Sequence, residues 1–313
     1  MAPHTAGDPM TSTKWLNCRL RDLQATLAVR GHRLSLPVIS RLLRAVDYRL
    51  RSNRKQQGGP ADPDRDTQFQ HIATERARHL AAGQPVISVD TKKKELVGNF
   101  KNAGQTWGQT AEVVNVHDCE SEAEGRAVPY GIYDLTRNHG SVYVGQSADT
   151  PQFAVDAIAA WCAGELRTAY PTATQLLIEA DRGGSNSARS RVWKAQLQEQ
   201  VADRFGLTVT VCHYPPGTSK WNPIEHRLFS AISKTWAGCP LRTFEVLLTY
   251  LRQTTTSTGL VVQADLLPTT YSKGVKVSDA TMKHLDLEAH AVCPRWNYTI
   301  RPRSAASQLR RAA

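Results

Sequence analysis

Leu16, Leu20, Leu23 and Leu27 fall at steps of four, three and four, the period of one helix face, and Ser12 stands where an N-cap belongs. Gly31 ends that helix. A second is predicted from Ser35 as cap, with Pro37 in its first turn. Its apolar face is Val38, Ile39, Leu42, Leu43 and Val46, and its other face carries Ser40, Arg41, Arg44, Tyr48 and Arg49. Two short helices, a glycine turn and a basic second helix read as a helix-turn-helix, or as a plain helical hairpin with a solvated basic face. A polar stretch rich in Gly and Pro, residues 56–64, follows as a linker. Phe69, Ile72, Ala73, Ala77 and Leu80 then mark a helix over residues 66–82, closed by Gly83.

Beyond Gly83 the pattern alternates between strand-like and helix-like runs. Strands are predicted over residues 84–90 and 96–101, and a hairpin over 127–135 and 141–145 around Arg137-Asn138-His139-Gly140. A helix over 151–162 puts Phe153, Ala154, Ala157, Ile158 and Trp161 on one face. A strand over 175–181, a helix over 187–205, a strand over 207–213 and a helix bearing Glu225 complete the series. Three strands, then helix, strand, helix, strand and helix is the order of an RNase H-like α/β fold, a mixed sheet flanked by helices. The predicted organisation is a helix-turn-helix-like segment at 1–55, a linker and helix at 56–83 and the RNase H-like domain at 84–240. Residues 241–313 are read as a C-terminal extension packing on that domain and ending in a basic tail.

Candidate chemistry sits at the ends of the apolar runs. Val86-Ile87-Ser88-Val89 ends in Asp90, and Leu176-Leu177-Ile178-Glu179-Ala180 ends in Asp181, with Gly183-Gly184 close behind. An acid at the C-terminal end of a buried strand faces the crevice of an open α/β sheet. Glu225, in Asn222-Pro223-Ile224-Glu225, adds a third carboxylate from a helix. Three hard oxygen donors suit a pair of Mg²⁺ ions, with Mn²⁺ as substitute, for in-line phosphodiester chemistry. Each acid also has a structural reading. Asp90 can cap a strand end, Asp181 can open a glycine-rich turn, and Glu225 falls at N3 behind Asn222 as N-cap, the acid of a capping box.

Around them, Lys92, Lys93, Lys94, Lys220 and Arg227 are candidate phosphate contacts, beside Arg41, Arg44 and Arg49 of the basic helix. Trp221 fills the core or stacks on a splayed base, with the core reading preferred. Asp134 is the reserve ligand should Glu225 prove to be a cap. His213 either touches substrate or packs, and His117-Asp118-Cys119 is a poor metal triplet because neighbours on a strand point to opposite faces.

Charge sharpens the choice of partner. The chain of 313 residues carries a formal net charge of +11 and a pI near 9.5. Residues 1–60 hold eleven Lys and Arg against three Asp, and residues 301–313 hold four Arg and no acid. The two ends are therefore polyanion grips around a nearly balanced middle, and duplex DNA is the expected partner. Six scattered cysteines form no C-x-x-C pair, which argues against a zinc ribbon and a disulfide framework and fits a reducing cytoplasm. No apolar run is long enough to span a membrane, and no signal peptide is visible.

Several longer blocks match a known pattern. They are residues 86–102 around Asp90, Val114-Asn115-Val116-His117-Asp118, Pro129-Tyr130-Gly131-Ile132-Tyr133-Asp134 and Asp181-Arg182-Gly183-Gly184-Ser185-Asn186. Residues 212–222, residues 224–230 and Trp296-Asn297-Tyr298-Thr299-Ile300 complete the set. Together they resemble the ISAzo-thirteen-like family of bacterial insertion-sequence transposases. The resemblance implies a DDE transposase with Asp90, Asp181 and Glu225 as its triad. It would cut and join the ends of its own element as a dimer or higher multimer, in the bacterial cytoplasm at the nucleoid. Cys119 stands where the family has an aromatic, Arg182 where it has a small residue and Glu179 where it has a hydroxyl. Members carry a longer N-terminal region, so the alternative is a truncated copy that only binds DNA and acts as a repressor.

Overall fold

The structure, a computed structural model, describes residues 5–7, 14–16, 18–50 and 62–304. The chain divides into two compact units, Met1–Gly59 and Pro60–Ala313.

In the first unit a two-stranded antiparallel ribbon, β1 (Thr5–Gly7) and β2 (Lys14–Leu16), precedes two helices. Helix α1 spans Leu20–Val29 and α2 spans Leu36–Ala45. The first helix starts later than its leucine period predicts. Leu16 lies in β2, and the cap is formed at Arg19, whose N–H donates to Asp22 Oδ2 at 3.0 Å. Ser12, the predicted cap, lies outside the described residues. Gly31 adopts a left-handed φ of 86° and ends α1, and α2 opens behind Ser35 with Pro37 in its first turn, as predicted. Leu23 and Ile39 are buried. Leu42 and Val46, predicted on the apolar face of α2, are 50% and 59% exposed. Arg41, Arg44 and Arg49 are exposed, and Arg49 reaches Asp47 at 3.7 Å.

The second unit is built on a nine-stranded sheet. Its centre is β3 (Val86–Thr91), flanked on one side by β5 (Gly125–Asp134) and β6 (His139–Gly145), both running antiparallel to their inner neighbour. On the other side β7 (Gln175–Ala180) and β8 (Thr208–His213) run parallel to β3. A short β4 (Glu95–Val97) pairs with the start of β5. It stops at Gly98, before the predicted residue 101. The order β6-β5-β3-β7-β8 is the RNase H-like core predicted from the element series. Residues beyond 240 complete the sheet on both edges. The strand β9 (Val261–Leu267) pairs parallel with β6, while β11 (Asn297–Ile300) pairs antiparallel with β8 and is backed by β10 (Leu287–Ala289).

Side-chain alternation divides this sheet into two faces. Ile87 and Val89 of β3, Tyr130 and Ile132 of β5 and Leu176, Ile178 and Ala180 of β7 pack under α4 (Pro151–Trp161), which is followed by a one-turn α5 (Arg167–Ala169), and under α6 (Arg191–Gln196). Ser190 caps α6 by accepting from Trp193 N at 3.2 Å, so this helix begins later than the predicted residue 187 and winds on as a π-helix over Leu197–Asp203. The opposite face is shared. Val97, Ala127, Tyr133 and Val142 lie under α7 (Ser230–Thr235) and α8 (Phe244–Arg252), while Val86 and Leu177 lie under α3 (Arg65–Ala81).

Helix α3 buries only the first part of its predicted apolar face, Phe69 and Ile72. Ala73, Ala77 and Leu80 are exposed, and Gln68, Ile72 and His79 are buried. The reason is polar pairing. The Gln68 amide donates to His213 O at 2.8 Å and exchanges bonds with the Asn297 amide at 2.7 and 2.6 Å. Arg76 donates to both oxygens of the fully buried Glu179 at 2.7 and 2.6 Å, and Tyr214 Oη donates to the same carboxylate at 2.7 Å. Buried polar groups are tolerated when each finds such a partner. Among the described residues no helix is long and apolar enough to cross a membrane, and the six cysteines are free.

Candidate active site

Alternation along β3 sends Ile87 and Val89 to the α4 face, and therefore Val86, Ser88 and Asp90 to the other. Along β7, Glu179 meets α3 and Asp181 follows on the same parity. The parallel register aligns Val89 with Ala180, which sets Asp90 beside Asp181. Both acids thus leave neighbouring strands at the same end of the sheet and on the face that carries the Glu225 helix.

That helix runs over residues 223–235, π-wound at Glu225–Phe229. It is pinned to β3 at two points. Ser88 Oγ donates to Asn222 Oδ1 and accepts from Ile224 N at 3.1 Å, and Asn222 Nδ2 donates to Val89 O at 3.4 Å. Asn222 is fully buried, so its side chain is spent on β3 and not on capping the helix. The second device is a pair of glycines. Gly131 pairs with Asp90 across β3 and β5, and a Cβ there would lie 2.5 Å from Phe229 Cε1 and 2.9 Å from Ile224 Cδ1. At Gly140 in β6 a Cβ would lie 2.5 Å from Leu228 Cδ1. The bare backbone at both positions lets the helix settle close to the strand that carries Asp90. Neither Ser88 nor the glycines stood out in the sequence.

The three acids repel one another. Burial, then the charge of Asp181, then that of Glu225 push the Asp90 carboxyl up to about 7, against a hydrogen bond from Thr91 N at 2.7 Å. Burial and Asp181 also raise Glu225, which His226 and Lys92 oppose. Mutual repulsion of this kind marks carboxylates converging on one site. One oxygen from each does not yet fall within 4.8 Å of the others. The Glu225 carboxylate makes no hydrogen bond to a described residue, and the capping-box bond to Asn222 N is not formed. The donor set is carboxylate oxygen throughout, which fits Mg²⁺ or Mn²⁺.

A fourth acid, Asp149, was not legible in the sequence because it sits in a loop with no period. Its charge also raises Asp90. Thr91 Oγ1 donates to Asp149 Oδ1 at 3.2 Å and lies 3.1 Å from Ser185 Oγ in the turn after Asp181. Behind Asp181, His213 is fully buried and its imidazole is pushed down to about 4 by burial. Its Nδ1–H donates to Asp181 O at 3.1 Å, and Nε2 lies 3.4 Å from Tyr298 Oη. It packs against the backbone that carries Asp181 and does not face the crevice. Asp134, the reserve ligand, is at the far end of β5, paired with Ile87. It accepts from Thr136 N, Arg137 N and Tyr170 Oη, and is a turn residue.

The lysine run diverges. Lys92 is buried, 3.3 Å from Glu95 Oε1 and 4.5 Å from the centre of the Trp236 ring, and burial pushes its ammonium down. Lys93 is exposed and Lys94 reaches Asp149 at 3.7 Å. Lys220 and Arg227 are exposed. Trp221 is 54% exposed and lies edge-on to Phe69, which corrects its placement in the core. His117 and Asp118 are exposed in a loop. Glu179 and Arg182, two departures from the family pattern, are accommodated by Arg76 and by the Trp296 ring, 5.7 Å from the Arg182 guanidinium.

This topology, with acids at the ends of two neighbouring parallel strands, is that of the RNase H-like fold. The model of the Rhodopirellula transposase DDE domain matches residues 1–302, and the chain belongs to that family. It is a DDE transposase, an enzyme of the polynucleotidyl transferase and endonuclease class, whose members act on DNA with divalent metal. No curated protein matches the sequence. Among solved structures, the Mos1 transposase paired-end complex with left transposon end is similar over 78% of this chain and 73% of that chain, at 12% identity and a TM-score of 0.43. The Mos1 mariner paired end complex with Mn gives the same figures. The Mos1 strand transfer complex gives 11% identity and a TM-score of 0.43, over 78% of this chain and 72% of that one.

Proposed function

We propose that the chain cleaves DNA at the ends of its own insertion sequence and joins the freed 3′-OH to target DNA, with Asp90, Asp181 and Glu225 as metal-holding catalytic residues. The observation that carries this reading is the shared face and strand end of Asp90 and Asp181, with the Glu225 helix drawn down beside them. Two Mg²⁺ ions, or Mn²⁺ in their place, supply when bound a stronger attacking oxygen and a stabilised leaving oxygen.

The chain's own residues set the stage for that chemistry. Asp90 and Asp181 hold their carboxylates at fixed strand ends, and the Ser88–Asn222 latch fixes the approach of Glu225. Thr91, Ser185 and Asp149 tie the loops on either side of Asp90 together. Lys92 balances Glu225 and Glu95 from inside. Lys93, Lys94, Lys220 and Arg227 are placed to meet backbone phosphates, and exposed Trp221 offers a stacking face for an unpaired base. Arg41, Arg44 and Arg49 of the first unit are assigned to phosphates of the element-end duplex, in a helix-turn-helix mode. A dimer or higher multimer holds the two ends together.

The test is Mg²⁺-dependent cleavage and joining of DNA carrying the element ends. The wild-type chain is expected to cleave, and Asp90→Asn to bind the same DNA with unchanged affinity and leave it intact. Binding without cleavage by the wild type would replace this reading with that of a DNA-binding repressor.

A further inference from the structure

On α3, His71 and Glu75 stand four residues apart and so share a helix face. The turn between β10 and β11 brings His290 against them. His71 Nε2 and His290 Nδ1 are 2.9 Å apart, and one ligand atom from each of the three residues lies within 4.8 Å of the others. We propose that His71, Glu75 and His290 form a binding site for a divalent transition-metal ion, zinc first, separate from the carboxylate site on β3 and β7.

The geometry matches a metal clasp closely. Two imidazole nitrogens at metal–ligand distances of about 2.05 Å, separated by 90 to 109°, lie roughly 2.9 to 3.3 Å apart. The observed spacing needs no more than a few tenths of an ångström of opening. The supporting bonds are also in place. His290 Nε2 lies 2.8 Å from Thr299 Oγ1, so the Nε2–H tautomer leaves the Nδ1 lone pair facing His71. Thr299 sits in β11 and meets Thr210 of β8 at 3.2 Å, so the support is anchored in the sheet. Arg78 donates twice to Glu75 Oε2, at 3.1 and 2.7 Å, and leaves Oε1 without a hydrogen bond from any described residue. Metal-ligating His and carboxylate groups are held from behind in this way. Burial lowers both histidines, which favours the neutral rings that ligate.

Donor chemistry separates the two sites. Two imidazoles and one carboxylate favour zinc and its neighbours, whereas an all-carboxylate crevice favours Mg²⁺ or Mn²⁺. All three residues are half-buried, which leaves room for water as the remaining ligand. A bound ion would fasten α3 to the β10–β11 edge. Arg295 ties the same seam to Asp62 and Asp64 at 2.8 and 2.9 Å.

The test uses the full chain, stripped with chelator and titrated with Zn²⁺ in excess Mg²⁺ to saturate the carboxylate site. Calorimetry is expected to give one zinc per chain. The melting temperature should rise by roughly 5–10 °C at a zinc concentration about 100 times Kd. His290→Ala should lose both effects, and Asp90→Asn should keep both. Thr299→Val, which keeps the ligands and removes their support, should weaken zinc roughly 10- to 100-fold. Should His290→Ala fail to fold, His71→Gln at a half-buried helix position carries the same arm. The proposal is overturned if the wild type takes up no zinc, or if His290→Ala or His71→Gln binds it as the wild type does. Either result would leave a hydrogen-bonded histidine pair and no bearing on the transposase reading, which is tested by cleavage.

Discussion

Replacing Gly131 by alanine places a methyl group where the Glu225 helix already sits. The new Cβ would be 2.5 Å from Phe229 Cε1 and 2.9 Å from Ile224 Cδ1. Carbon atoms in contact prefer about 3.5 to 4.0 Å, so the buried Phe229 ring and Ile224 methyl must move by about 1 Å, and their tight packing is expected to pass that shift to the helix. Overpacking of this kind costs about 1–3 kcal/mol. At roughly 2–4 °C per kcal/mol for a unit of this size, the melting temperature should fall by about 2–12 °C. The effect on chemistry should be larger than the effect on stability. Glu225 rides on the helix that moves, and Asp90 lies directly across from the new methyl. A displacement of about 1 Å at reacting groups costs on the order of 10²-fold in rate. The assay is Mg²⁺-dependent cleavage of element-end DNA, read beside DNA affinity at fixed salt and a melting curve. Cleavage should drop on that scale with affinity unchanged. Phe229→Leu in the same chain removes the nearer clash and should restore most of the loss. Gly131→Ala with wild-type cleavage would show that the ring yields alone and that the glycine does not set the helix position. Loss without rescue would show that the damage travels by another route.

Glu225→Gln should eliminate cleavage and leave the melting temperature unchanged or slightly higher, since the carboxylate caps nothing and is repelled by Asp181; a drop of several degrees would make Glu225 structural. The raised Asp90 carboxyl gives a pH signature whose sign is fixed. The folded, metal-free chain keeps a proton there that the unfolded chain loses above about pH 4, so this group's contribution to stability falls as pH rises from about 4 to 7 and is level beyond. Mg²⁺ needs the carboxylate, so its affinity should rise between pH 6 and 8 with proton release below about 7; calorimetry at pH 6 in buffers of different ionisation heat should detect that release, and its absence would refute the assignment. Arg76→Ala strands the Glu179 charge in the core. Urea unfolding should show a loss toward the lower end of about 3–5 kcal/mol, because the Arg76 side chain is itself 32% exposed; a loss under about 1 kcal/mol would mean that Tyr214 alone suffices.

The strand-end positions of Asp90 and Asp181 were legible in the sequence because an acid closing a buried apolar run falls at the crevice end of a parallel strand. The RNase H-like order was legible from the succession of strand-like and helix-like runs. What escaped depended on partners far along the chain. The buried face of α3 could not be read locally, since Gln68 and Arg76 are buried by virtue of Asn297 and Glu179. Leu80, which looks like core, is left outside. Asn222 read as a helix cap, yet its side chain is bound by Ser88 on β3. Asp134 shared a strand-end signature with Asp90, but antiparallel pairing sends it to the opposite end of the sheet. The residues beyond 240 carried too short and irregular a pattern to reveal that they supply both edges.

The amide pair between Gln68 and Asn297 and the docking of β11 on β8 also set a clock for synthesis. Strand β8 ends at His213 and its outer neighbour begins at Asn297. At about 5–20 residues per second, that edge stays open for roughly 4–17 s on the ribosome. Over that interval α3 lacks its amide partner and the Asp181 side of the sheet ends in unpaired backbone, the kind of edge that recruits strands from other chains. The edge next to the Asp181 strand is therefore closed only once Asn297–Ile300 has been made. A chain that stops short of Asn297 is expected to keep that edge unpaired and so to associate edge to edge with other chains.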